Sequence, residues 1–133
     1  MKVVLYLLTF VLTLNCSSTK FNKQEIDSKI EQLAISHFGK KYASKENSTG
    51  RYMLVWRKYK KMEEMMGTVD YFIFDKKTQK IIFEDHLNAG TVKWSSDYEI
   101  IAIARNIHTE QNSYIPKLSY IFNVIEGKKR VID

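Results

Sequence analysis

From Arg51 to the C-terminus the apolar residues alternate with a period near two, and β-branched and aromatic side chains dominate. This pattern constrains the chain more than any other feature. Tyr52, Leu54 and Trp56 fall on one strand face, with Met53 and Val55 on the other. A second run, Val69 to Asp75, ends at the turn-forming Lys76-Lys77-Thr78-Gln79. A third, Lys80 to Leu87, stops at Asn88-Ala89-Gly90. Thr91 to Trp94, a Ser95-Ser96-Asp97 turn and a long run from Tyr98 to His108 follow. After a loop over 109–117 containing Pro116, Leu118 to Ile125 and Arg130 to Ile132 close the chain around Glu126-Gly127. Most of these connections are too short for a parallel crossover, which needs a dozen residues or more, so antiparallel meander pairing is expected.

Ahead of the strands the period is 3.6. Asn22 can cap a helix, and Glu25 three places on completes a capping-box spacing. Ile26, Ile30, Leu33, Ala34 and Phe38 form one apolar stripe, and Gly39 with Lys40-Lys41 suits its C-terminal end. Such a helix must pack on something. The expected fold is therefore α+β: an N-terminal amphipathic helix packed on a curved antiparallel sheet of about five or six strands. It is loosely similar to helix-on-meander folds of the cystatin kind. A half-open barrel with the helix as a plug is the alternative. With 133 residues, one domain over 22–133 is the division expected, after a leader at 1–15 and a tether at 16–21.

A short echo runs through the strands. Phe74-Asp75-Lys76-Lys77-Thr78-Gln79-Lys80 is answered by Phe122-Asn123-Val124-Ile125-Glu126-Gly127-Lys128. With Trp94-Ser95-Ser96-Asp97 it looks like a β-propeller blade, but a propeller needs four blades or more and this chain has room for about two. The same hairpin used twice is the simpler reading.

At the N-terminus, Lys2 precedes an uncharged, mostly apolar run from Val3 to Leu14, followed after Asn15 by Cys16, the one cysteine of the chain. As a helix this run spans about 18 Å, short of the roughly 30 Å hydrocarbon core of a bilayer. An export signal fits better than a membrane span. The run and its cysteine resemble the signal peptide of bacterial lipoproteins, in a loose form of the box with Thr13 and Asn15 before the cysteine. The resemblance implies lipidation of Cys16, which becomes the mature N-terminus on the cell membrane or the outer membrane. A secretory signal cut near Ser17 or Ser18 is the other reading.

Export changes what the net charge of +6 means. A basic cytosolic protein invites nucleic acid; an exported one meets lipid headgroups or acidic envelope partners. No nucleic-acid partner is expected. The densest basic feature is Arg57-Lys58-Tyr59-Lys60-Lys61, followed by Met62, Met65 and Met66. These five residues are the candidate binding patch, for anionic lipid or an acidic partner, and the methionines offer an adaptable apolar surface beside it.

Residues able to do chemistry are sparse. His37 falls on the apolar side of the helix. Glu84 and His86 share a strand face while Asp85 points the other way, so a metal would need a third ligand such as His108. Ser95-Ser96-Asp97 is explained by turn chemistry. One cysteine excludes a thiolate zinc cluster within the chain, and none of the glycine-rich phosphate loops or nucleophile motifs occurs. Neither a cofactor nor a metal is expected, and no catalytic residue is nominated. Trp56 and Trp94 read as core, and Tyr59 and Tyr114 as exposed aromatic contacts. The expected function is a membrane-anchored, non-enzymatic binding or accessory module of the cell envelope. The alternative is an inhibitor of an exported hydrolase, with Asn112, Tyr114 and Pro116 in the inhibitory loop.

Overall fold

The computed structural model describes residues 22–59, 67–104 and 118–132. Among these residues one helix, α1 (Lys23–Phe38), precedes eight strands: β1 (Ala43–Glu46), β2 (Tyr52–Lys58), β3 (Val69–Asp75), β4 (Lys80–Leu87), β5 (Gly90–Trp94), β6 (Glu99–Ala104), β7 (Ser119–Asn123) and β8 (Lys128–Ile132). The strands form two antiparallel meanders, β1-β2-β3-β4 and β5-β6-β7-β8.

The single sheet of five or six strands is thereby corrected. The described residues are mostly β, with two four-stranded sheets packed face to face and one helix outside them. Strand β3 shows why one sheet under one helix cannot suffice. Tyr71 and Ile73 point one way and Phe72 and Phe74 the other, and all four are buried. A strand apolar on both faces needs cover on both, and α1 supplies only one. Nor is the helix a barrel plug, because it lies on the outer face of the first sheet.

Two cores result. Between the sheets, Tyr52, Leu54, Tyr71 and Ile73 meet Val92, Ile100, Ala102, Tyr120 and Phe122, with Trp56, Phe83 and Trp94 packed against them. The Phe83 and Phe122 rings stack across the interface with centroids 3.8 Å apart. Under the helix, Ile30, Ala34 and Phe38 close over Val55, Phe72 and Phe74. The Asn22 side chain accepts the Gln24 N–H at 3.3 Å, and Gly39 N–H donates to Ile35 O at 2.8 Å, so each helix end carries a capping bond.

Strand β1 was missed by periodicity because Ala-Ser-Lys-Glu is exposed at every position. It is a short, charged edge strand, and its identity comes from pairing with β2. The chain leaves the first sheet at Asn88-Ala89 and begins the second at Gly90. There φ is +152°, and an added Cβ would stand 2.1 Å from Ile103 O. No larger residue fits that backbone approach.

The echo is a repeated turn. Asp75 accepts the Lys77 N–H and Asn123 accepts the Ile125 N–H, each at 2.9 Å, and the fourth turn residues, Gln79 and Gly127, are both left-handed. The strands before these turns differ in register by one residue. Tyr52 pairs with Asp75, whereas the residue equivalent to Tyr52, Ile100, pairs with Phe122. Phe74 consequently faces the helix while Phe122 faces the inter-sheet core, as a one-residue shift requires.

Candidate functional site

Arg57, Asp70 and His86 stand in one cross-strand row of the first sheet, beside the C-terminal end of α1. Sequence reading found Arg57 and His86 separately, and the fold joins them through Asp70. Each lies outward because the intervening residues Trp56, Tyr71 and Asp85 turn toward the other sheet. A shallow cavity of about 370 Å³ opens here, lined by His37, Phe38, Asp70, Tyr71, Glu84, Asp85 and His86.

The side chains of the Arg57–Asp70–His86 row are committed to neighbours. Arg57 donates to Phe38 O, the last carbonyl of α1, and its guanidinium lies 4.3 Å from the Tyr59 ring centroid. Two of the five residues of the expected binding patch are thus a helix cap and its stacking partner. Lys58 is exposed at the end of β2; Lys60 and Lys61 lie outside the described residues, as do Met62, Met65 and Met66. Tyr59 is half-buried beneath Arg57 rather than free.

His86 is held at both ring nitrogens. Nδ1 pairs with an Asp70 carboxylate oxygen, and Nε2 lies 3.1 Å from Asn88 Oδ1. Hydrogen bonding to Asp70 raises its pKa, with burial opposing and Asn88 adding to the rise. Two acceptors favour the imidazolium, which has no lone pair to take a proton, so this dyad is poorly arranged for a general base. Glu84 and His86 do share the outward face, as their spacing implied. Asp85 faces inward, where it accepts from Tyr120 and Lys129 at 2.5 Å each. Among the described residues no three His, Cys, Asp or Glu side chains gather as metal ligands. The third ligand considered, His108, lies outside them. His37 is exposed, its ring 5.4 Å from that of Phe72.

A second polar cluster went unforeseen. The Tyr71 hydroxyl meets that of Tyr120, which also donates to Asp85, and Lys129 sits over the Tyr120 ring at 4.5 Å. Burial raises both phenol pKa values, keeping the hydroxyls protonated. Burial also pushes the Asp85 carboxyl up, but Lys129, Tyr120 and the His86 N–H outweigh it, and the net shift is downward. Alternation along β3 and β7 places each tyrosine inward; only the pairing of the sheets brings them together. Ser95, Ser96 and Asp97 form the expected turn, with Asp97 O accepting from Asn47 Nδ2 at 2.7 Å.

Set against known proteins, the chain matches no protein-family model, no curated protein and no solved structure. Cys16 and the segment with Asn112, Tyr114 and Pro116 lie outside the described residues. Among the described residues no helix is long and apolar enough to cross a membrane.

Proposed function

We propose that the chain is an exported lipoprotein, anchored through Cys16, that serves the cell envelope as a non-enzymatic binding or accessory module. The observation that carries this reading is the order at the N-terminus: one cation, an apolar run too short for a span, then the sole cysteine. Residues 17–21 give the domain a reach of about 20 Å from the anchor at full extension. A module confined so close to a membrane meets envelope partners at high effective concentration, so a modest surface affinity suffices.

The geometry of the polar groups supports binding over catalysis. Asp75, Asp85 and His86 each spend their hydrogen-bonding capacity on neighbours within the chain. Catalytic acids and bases are characteristically poised with an open side toward substrate.

Fractionation of cells expressing the chain and its Cys16→Ser variant tests the anchor. The parent should sediment with membranes and extract only with detergent. The variant should appear in the soluble fraction or stay unprocessed. Membrane association of both processed forms to the same extent would overturn the proposal.

A further inference from the structure

The outer faces of the two sheets are treated differently. On the first, Met53 and Val55 of β2 lie beneath α1. The corresponding residues of β6, Ile101 and Ile103, face outward from the second sheet and belong to neither core cluster. Across the strands the pattern is regular. Lys93, Ile101, Ile121 and Arg130 stand in one row, and Thr91 pairs with Ile103 in the next. Both isoleucines of the first row are half-buried, while the two cations at its ends are exposed. Lys128, also exposed, adds a third cation one row away, beyond Asn123 and Glu99. In the Ile101–Ile121 row the apolar strip is two strands wide with a cation on each flank, and in the next row Ile132 stands opposite Ser119 at the β8 edge.

We infer that this face is the docking surface of the module, and that its occupant is an amphipathic helix of a partner protein with acidic residues flanking its apolar stripe. The inference rests on the proposed binding role and names the partner chemistry for it. Two features choose the occupant. Sheet packing in this same molecule shows that an apolar strip on such a four-stranded meander is covered by one amphipathic helix. The flanking Lys93 and Arg130 then select carboxylates beside that stripe. A second copy of the chain presents the same cations and would oppose like charges across a two-fold contact.

The test uses the full chain in nonionic detergent and a fluorescent synthetic peptide of about 18 residues, or five helical turns, with a leucine stripe flanked by glutamates. Anisotropy should show saturable binding that weakens with salt. Reversing both flanking charges, Lys93→Glu with Arg130→Glu, should lower affinity at least about tenfold. Ile121→Glu should abolish binding with thermal unfolding still cooperative, and the charge-reversed chain should instead bind the same peptide made with lysines. Hydrogen exchange on the chain in phosphatidylglycerol nanodiscs supplies the lipid comparison. No binding of the peptide, binding indifferent to the charge reversal, protection of 101–103 and 121 by anionic lipid without peptide binding, or self-association removed by Ile121→Glu would each overturn the inference. Fractionation of Cys16→Ser is independent of all these outcomes, so the anchor and the docking face fail or stand separately.

Discussion

Tyr71 of one sheet and Tyr120 of the other join hydroxyls in the buried layer between them, and the Tyr120 hydroxyl donates a hydrogen bond to Asp85. Removing the Tyr120 hydroxyl strands that of Tyr71, whereas removing the Tyr71 hydroxyl leaves Tyr120 still bound to Asp85. Tyr120→Phe should cost about 1–3 kcal/mol and Tyr71→Phe about 0.5–1.5 kcal/mol. The double variant should cost less than their sum, by roughly 1 kcal/mol of coupling. Urea unfolding of the four proteins measures this; strict additivity would show that the hydroxyls do not interact.

The Arg51–Asp75 pair predicts an acid limb. Burial raises the Asp75 carboxyl, but the Arg51 fork, the Lys77 N–H and the Thr78 hydroxyl outweigh it and hold the pKa below the ordinary range. Stability from this group is present above its unfolded pKa, about 3.9, and is lost as pH falls through the folded value. Asp75→Asn should lower stability at neutral pH by about 1–3 kcal/mol and flatten the acid limb. Unfolding midpoints from pH 7 downward that run parallel for both proteins would contradict the assignment.

His86 acts with the opposite sign. Its pKa is raised chiefly by Asp70, so its contribution is complete below the unfolded value near 6.5 and fades as pH rises through the folded one. Because the pair is solvent-exposed, the effect is small, about 0.5 kcal/mol. Two-dimensional NMR should show an imidazole titrating above the ordinary histidine midpoint, returning toward it in Asp70→Asn. A midpoint at or below the ordinary value would contradict the pairing.

Two backbone sites should respond in opposite directions. Gly90→Ala forces a Cβ against Ile103 O in a conformation hostile to alanine, and should cost about 3 kcal/mol or more. Gln79→Gly relieves a left-handed residue at φ 55° and a buried amide nitrogen without a partner. It should stabilise by up to about 1 kcal/mol. Thermal denaturation distinguishes the outcomes; a neutral Gly90→Ala would contradict the crossover geometry.

Much of this architecture could be read from the chain because burial imposes a period. Tyr52, Leu54, Met53 and Val55 sort to opposite faces as alternation requires, and Asn22 and Gly39 bound the helix. The number of sheets could not be read that way. Antiparallel pairing continues or stops at a turn according to what covers each face, and Asn88-Ala89-Gly90 looks like any other hairpin turn. The row of Arg57, Asp70 and His86 was hidden for a related reason: cross-strand neighbours depend on register, and neither sequence distance nor composition specifies it. Arg57 advertised itself as part of a basic patch, yet the helix end it caps lies 19 positions away.

The anchor is tested most directly at the mature N-terminus. Mass spectrometry of the chain recovered from membranes should find a first residue of Cys16 carrying acyl chains, with residues 1–15 absent. An unmodified terminus at Ser17 or Ser18, or an intact leader with unmodified Cys16 on the mature chain, would contradict the account.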